Sequence, residues 1–135
     1  MKNLLNGISF KTDDGKLADM FLTKAEAIAK KLNDKDKQRD RSYRADISTT
    51  QYRKFYDKVL ELNEKAQGLT KEEFDNKLLP LVKMIVSKVA YSRSRKHCGP
   101  NFEMLMKESI KKVNTQEELN NFKLFLEAII GFMPK

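Results

Sequence analysis

The stretch Leu78 to Lys96 reads LLPLVKMIVSKVAYSRSRK, and it decides the fold class. Leu78, Val82, Ile85 and Val89 recur at helical spacing, so one side of a helix is rooted in a core. Lys88, Ser92 and Arg95 fall in another row, with Tyr91 beside them and Arg93 and Lys96 flanking. From Lys77 through Phe102 there is no acidic residue. A core helix that ends in an uncompensated positive cluster is suited to holding an anion. The competing reading is a buried helix with a solvated basic tip.

Outward from this stretch the same period repeats. Gly99-Pro100 predicts the end of the central helix, and Thr70-Lys71-Glu72-Glu73 predicts its capped start. Pro80 lies inside the pattern, so a kink is expected there, or a new helix with Pro80 in its first turn. Upstream, Ser48 and Gln51 have capping-box spacing before a row of Tyr52, Phe55, Val59 and Leu62, and Gly68 supplies a stop. Downstream, Phe102, Leu105, Met106, Ile110 and Val113 predict a fourth helix. A third box, Thr115 to Glu118, opens a last one that is apolar on most sides and must be buried within the fold or against another chain.

Leu17 to Leu32 reads as the first helix, with Asp14 available to cap it after an Asp13-Asp14-Gly15 turn; the first dozen residues have no clear period. The polar run Asp34 to Asp46 predicts a flexible basic linker between the first and second helices, ahead of a loop that orders on a ligand. No segment alternates as a strand should. The expectation is one all-α domain over 1–135, a compact bundle of about five helices with short connections.

Net charge bears on partners rather than fold. The 135 residues carry a formal charge of +8, which favours a polyanion over an acidic small molecule. One cysteine, Cys98, excludes an intrachain disulfide and a multi-cysteine metal site, and fits a reducing compartment. The start MKNLLNGISFK lacks the apolar run of a secretory signal, and no stretch approaches the roughly 18 apolar residues of a membrane span. A cytoplasmic protein without a membrane partner is expected.

The residues that carry chemistry do not converge on catalysis. His97 adjoins Cys98, but neighbouring side chains point apart, so the pair is no dyad by spacing. The carboxylate pairs Glu72/Glu73 and Glu117/Glu118 sit in helix first turns, where the dipole favours them, and Asp13/Asp14 sits in a turn. There is neither a phosphate-binding glycine loop nor zinc spacing; no cofactor, metal or catalytic residue is expected. The basic residues are the better lead. Arg39, Arg41 and Arg44 lie in the linker with Tyr43, and Arg53 and Lys54 open the second helix. Arginine forks match phosphate oxygens, and a tyrosine face can stack on an unpaired base.

Three blocks in register resemble the small subunit of type III-A CRISPR–Cas effectors. The first is Thr49, Thr50, Gln51, Tyr52, Arg53, Lys54 and Phe55; the second is the apolar run into Ala90-Tyr91, Ser92 and Arg93. The third is Phe122 and Phe125 with the aliphatic Leu126 to Ile130. The ending, Gly131-Phe132-Met133-Pro134-Lys135, departs from the family's alanine-tyrosine close. The resemblance implies a small helical subunit without activity of its own, stacked in several copies as an inner filament. Its partners would be guide RNA, target RNA, other subunits and copies of itself. Phosphate contacts are then expected at Arg53, Lys54, Lys88, Arg93 and Arg95, with Arg41 and Arg44 as extensions, and Tyr91 is expected as core or groove wall ahead of a stacking platform.

Two other classes compete. A free-standing helical DNA-binding protein would need an exposed recognition helix, yet the helix after Gly68 opens with Glu72, Glu73 and Asp75, which DNA would repel. A nucleic-acid-independent interaction adaptor would use the apolar last helix for docking, and its binding would survive high salt.

Overall fold

The computed structural model describes residues 1–33 and 45–133. Among them the chain is all-α, as expected. Helix α1 is Lys2–Leu5. Helix α2 runs through Leu17–Asp19, a π turn at Met20–Lys24, and Ala25–Asn33. Helix α3 is Thr49–Ala66. Helix α4 runs through Lys71–Glu73, a π turn at Phe74–Leu78, and Leu79–Ser94. Helices α5 and α6 are Pro100–Ile110 and Gln116–Phe132.

The last helix is the central one. Leu119, Phe122, Phe125, Leu126 and Ile129 of α6 are all buried, and α6 packs against both α2 and α3. Tyr52 of α3 is buried against it and donates its hydroxyl to the Leu126 carbonyl at 2.7 Å, satisfying a polar group that burial would otherwise penalise. Of the two burial modes expected for this helix, the fold therefore supplies the internal one.

The aperiodic first dozen residues are core material. Leu5, Ile8 and Phe10 are buried, and the Phe10 ring meets Phe122 at 5.4 Å and Phe125 at 5.8 Å. Side chains from the far end of the chain hold this segment. Asn121 Nδ2 donates to the Phe10 carbonyl at 2.7 Å, Lys112 Nζ to the Ile8 carbonyl at 2.6 Å, and Glu117 accepts from the Thr12 N–H at 2.9 Å. Asp14 does not cap α2; it accepts from the Ser9 hydroxyl, and Lys16 occupies the N-cap position without a side-chain capping bond.

Caps and breaks follow local chemistry with two corrections. Thr70 and Glu73 form the full capping box. At α6, Thr115 accepts from Glu118 N–H at 3.1 Å, but the Glu118 carboxylate reaches one residue further back, to the Asn114 N–H at 3.0 Å. Just before Pro80, over Phe74–Leu78, the helix widens into a π turn. Leu79 N–H bonds to Phe74 O, five residues back, and a regular helix resumes with Pro80 in its first turn, where its missing donor costs nothing.

The second correction concerns the end of α4. Gly99-Pro100 does not terminate it. The helix ends at Ser94, and His97 N–H bonds to Ser92 O and Lys96 N–H to Arg93 O, both at 2.9 Å. These are the two bonds of a Schellman motif, with Lys96 in the left-handed position (φ 63°) that glycine usually takes. Gly99 and Pro100 instead open α5.

Candidate nucleic-acid interface

One face of α4 looks outward along its length. Leu81, Met84, Lys88, Tyr91 and Arg95 lie within about a quarter turn of one another by helical geometry, and all five are exposed. The stripe is apolar toward α4's start and cationic toward its end. Ser92, expected in the basic row, is buried. Tyr91 is 63% exposed, so of the two expected places, core or groove wall, it does not take the core. Its hydroxyl accepts from Arg95 Nη1 at 3.0 Å, with the guanidinium carbon 5.7 Å from the ring centroid.

Arg93 belongs to a different face. It projects nearly opposite to the Tyr91 stripe and pairs with Glu103 of α5, the first acidic residue after the acid-free run. The cluster that looked uncompensated in sequence is therefore partly neutralised, through tertiary contact, at this one position. Lys88 and Arg95 make no ion pair among the described residues.

On α3, Arg53 and Lys54 are exposed. Helical rotation puts Arg53 on the flank of Tyr56, which donates to Glu127 of α6 at 2.9 Å. Burial, and then this bond, push the Tyr56 phenol up to about 12, and nearby Arg53 opposes the rise. Phe55, on the other flank, meets Phe102 of α5. Thr49, Thr50, Arg53, Lys54 and Asp57 line an open depression of about 290 Å³. All five come from one helix, so its walls are side chains rather than a second element.

The two basic segments nevertheless meet at one end of the fold. Ile47, just before α3, forms an antiparallel bridge with Cys98, just after α4. The Asp46 carbonyl accepts from Gly99 N–H at 2.6 Å, and its carboxylate accepts from the N–H groups of Asn101 at 3.1 Å and Phe102 at 2.7 Å. The structure thus joins the backbones at the roots of the segments, while the cations fan out on separate faces. Arg41 and Arg44, with Arg39 and Tyr43, lie outside the described residues, as does most of the expected linker. The last linker position, Asp46, is buried.

Cys98, Glu73, Glu117 and Glu118 make structural contacts. Cys98 is buried and its thiol is pushed up to about 11, first by burial and then by Asp46 and Glu103, which makes it a poor nucleophile. His97 is exposed. Glu73, Glu117 and Glu118 hold backbone amides as described above. No group of three or more metal-ligating side chains occurs among the described residues. None of their helices is long and apolar enough to cross a membrane.

The model of the Csm2 type III-A family matches residues 18–133. The chain belongs to that family. It is a small structural subunit of a type III-A CRISPR effector complex. The family match begins at the second residue of α2, so it includes the first long helix, which carried no recognisable signature in the sequence, and leaves the N-terminal segment outside. No significant match was found among curated proteins or among solved structures.

Proposed function

We propose that the chain is the non-catalytic small subunit that stacks in several copies as an inner filament and contacts the backbone of the guide–target RNA duplex. The observation that carries this reading is the acid-free, solvent-facing end of α4, with Lys88 and Arg95 exposed on one face and the start of α3 bridged to its base. Arg53, Lys54, Lys88, Arg93 and Arg95 are assigned as phosphate contacts, with Arg41 and Arg44 as extensions. Contacts to phosphate give affinity without sequence choice, which suits a complex whose guide varies.

The family supports assembly with other effector subunits, and the filament places copies of the chain beside one another along the duplex. A cytoplasmic location accompanies this role. The test is the salt dependence of target RNA binding by complexes assembled with the Arg53→Glu, Lys88→Glu, Arg95→Glu triple variant. A log–log slope reduced by about 0.7 to 0.9 per lost contact is expected. An unchanged slope and affinity removes these residues from the interface.

A further inference from the structure

We infer that Tyr91 is a stacking site for an unpaired base of the bound RNA, with Lys88 and Arg95 holding the flanking phosphates. The inference rests on the RNA-contact reading above and names the form of nucleic acid that this face receives.

Three observations point to a base rather than to duplex backbone alone. Tyr91 is a large aromatic left 63% exposed at the acid-free end of a helix whose opposite face is buried in the core. Its hydroxyl is already held by Arg95 at 3.0 Å. The guanidinium carbon lies over the ring, 5.7 Å from its centroid, so Arg95 covers part of one face. The ring is thus held by Arg95, and the part that Arg95 does not cover is exposed. One helical turn toward the start of α4, Lys88 lies on the same stripe without an ion pair among the described residues.

A ring between two cations matches a nucleotide, whose base has an apolar face and whose neighbouring linkages are anionic. Aromatic faces bind any base, so such a site works without sequence preference. A fully paired duplex offers no base face to it. The same stripe continues into Leu81 and Met84, which a protein neighbour would favour. The cations on either side of Tyr91, with no carboxylate among residues 77–102, favour RNA at this end.

The experiment uses the assembled effector complex with target RNAs carrying 4-thiouridine at successive positions, each made either paired or unpaired with the guide. After irradiation, adducts are mapped by mass spectrometry on the tryptic peptide Val89–Arg93. The expected result is an adduct on Tyr91 from unpaired positions, retained in Tyr91→Phe and lost in Tyr91→Leu. Adducts confined to the peptides of Arg53 or Lys54, or equal yields from paired and unpaired positions, overturn the stacking site and leave the RNA-contact reading standing. Absence of any adduct on this chain overturns the stacking site, while the salt slope of the triple variant decides the RNA-contact reading separately. A Tyr91 contact made by a neighbouring subunit instead of RNA overturns the inference in favour of the protein partner.

Discussion

The carboxylate of Asp46 accepts the Phe102 amide at 2.7 Å, capping α5 from the other side of α3 and α4 in the chain. Gly99, the local N-cap residue, has no side chain to do this. Asp46 also donates its own N–H to the Leu32 carbonyl at 2.9 Å, so it ties the end of α2 to the start of α5. Asp46→Ala is expected to destabilise the protein by about 2 to 3 kcal/mol, since it removes a cap and leaves a buried N–H without an acceptor. Asp46→Asn should cost less, because one carbonyl oxygen can still serve one amide. Urea titration of the two variants checks the order.

Lys96 holds a left-handed conformation inside the basic cluster, at the position where glycine ends helices with less strain. Lys96→Gly should raise stability by up to about 1 kcal/mol. If the lysine is retained for its charge, the same change lowers RNA affinity and reduces the salt slope by about 0.7 to 0.9. A variant that gains stability with unaltered RNA binding would make Lys96 a tolerated strain without function. Thermal melts and filter binding read the two effects separately.

Arg93 and Arg95 should respond differently to charge reversal. Arg95→Glu changes an exposed residue and is expected to shift stability by no more than about 0.5 kcal/mol. Arg93→Glu sets two carboxylates against each other at Glu103 and should cost roughly 0.5 to 1 kcal/mol. The double exchange Arg93→Glu with Glu103→Arg should recover most of that loss. Failure of the second change to rescue the first would mean the pair contributes nothing in solution.

Glu117 links acid stability to the N-terminal segment. Its hydrogen bonds from Thr12 hold its carboxyl below the ordinary 4.5. A depressed folded value gives stability that is present above the unfolded pKa and lost as pH falls through the folded one. Glu117→Gln should therefore flatten the stability loss below about pH 4.5. Amide exchange at Thr12 should show the segment loosening first in the wild-type protein. A profile unchanged by the substitution would place the acid-sensitive groups elsewhere.

Local features were legible where one helix carries its own information. The buried row Val82, Ile85 and Val89, the Thr70–Glu73 box and the apolar α6 follow from spacing, because a helix repeats every 3.6 residues whatever it packs against. The N-terminal segment was not legible. Leu5, Ile8 and Phe10 form no period, and they are buried because α6 and the Lys112 and Asn121 side chains receive them. The end of α4 was misplaced for a similar reason. Lys96 takes a conformation that its side chain disfavours, and no residue type announces that.

The basic residues show the same division. Composition and the acid-free run make a polyanion the first partner to consider, since charge is a property of the residues themselves. The blocks around Arg53 and Tyr91 led to the right family. Which cations stand free is a matter of contacts. Sequence distance keeps Glu103 out of the run, yet the packing of α4 on α5 brings it to Arg93, while Lys88 and Arg95 face solvent with an exposed Tyr91 between them. By itself the sequence determined helices, their inward rows and a positive surface, because those depend on nearest neighbours along the chain. Only the tertiary structure decided which charges are paired and which aromatic is open, because pairing and burial depend on neighbours in space.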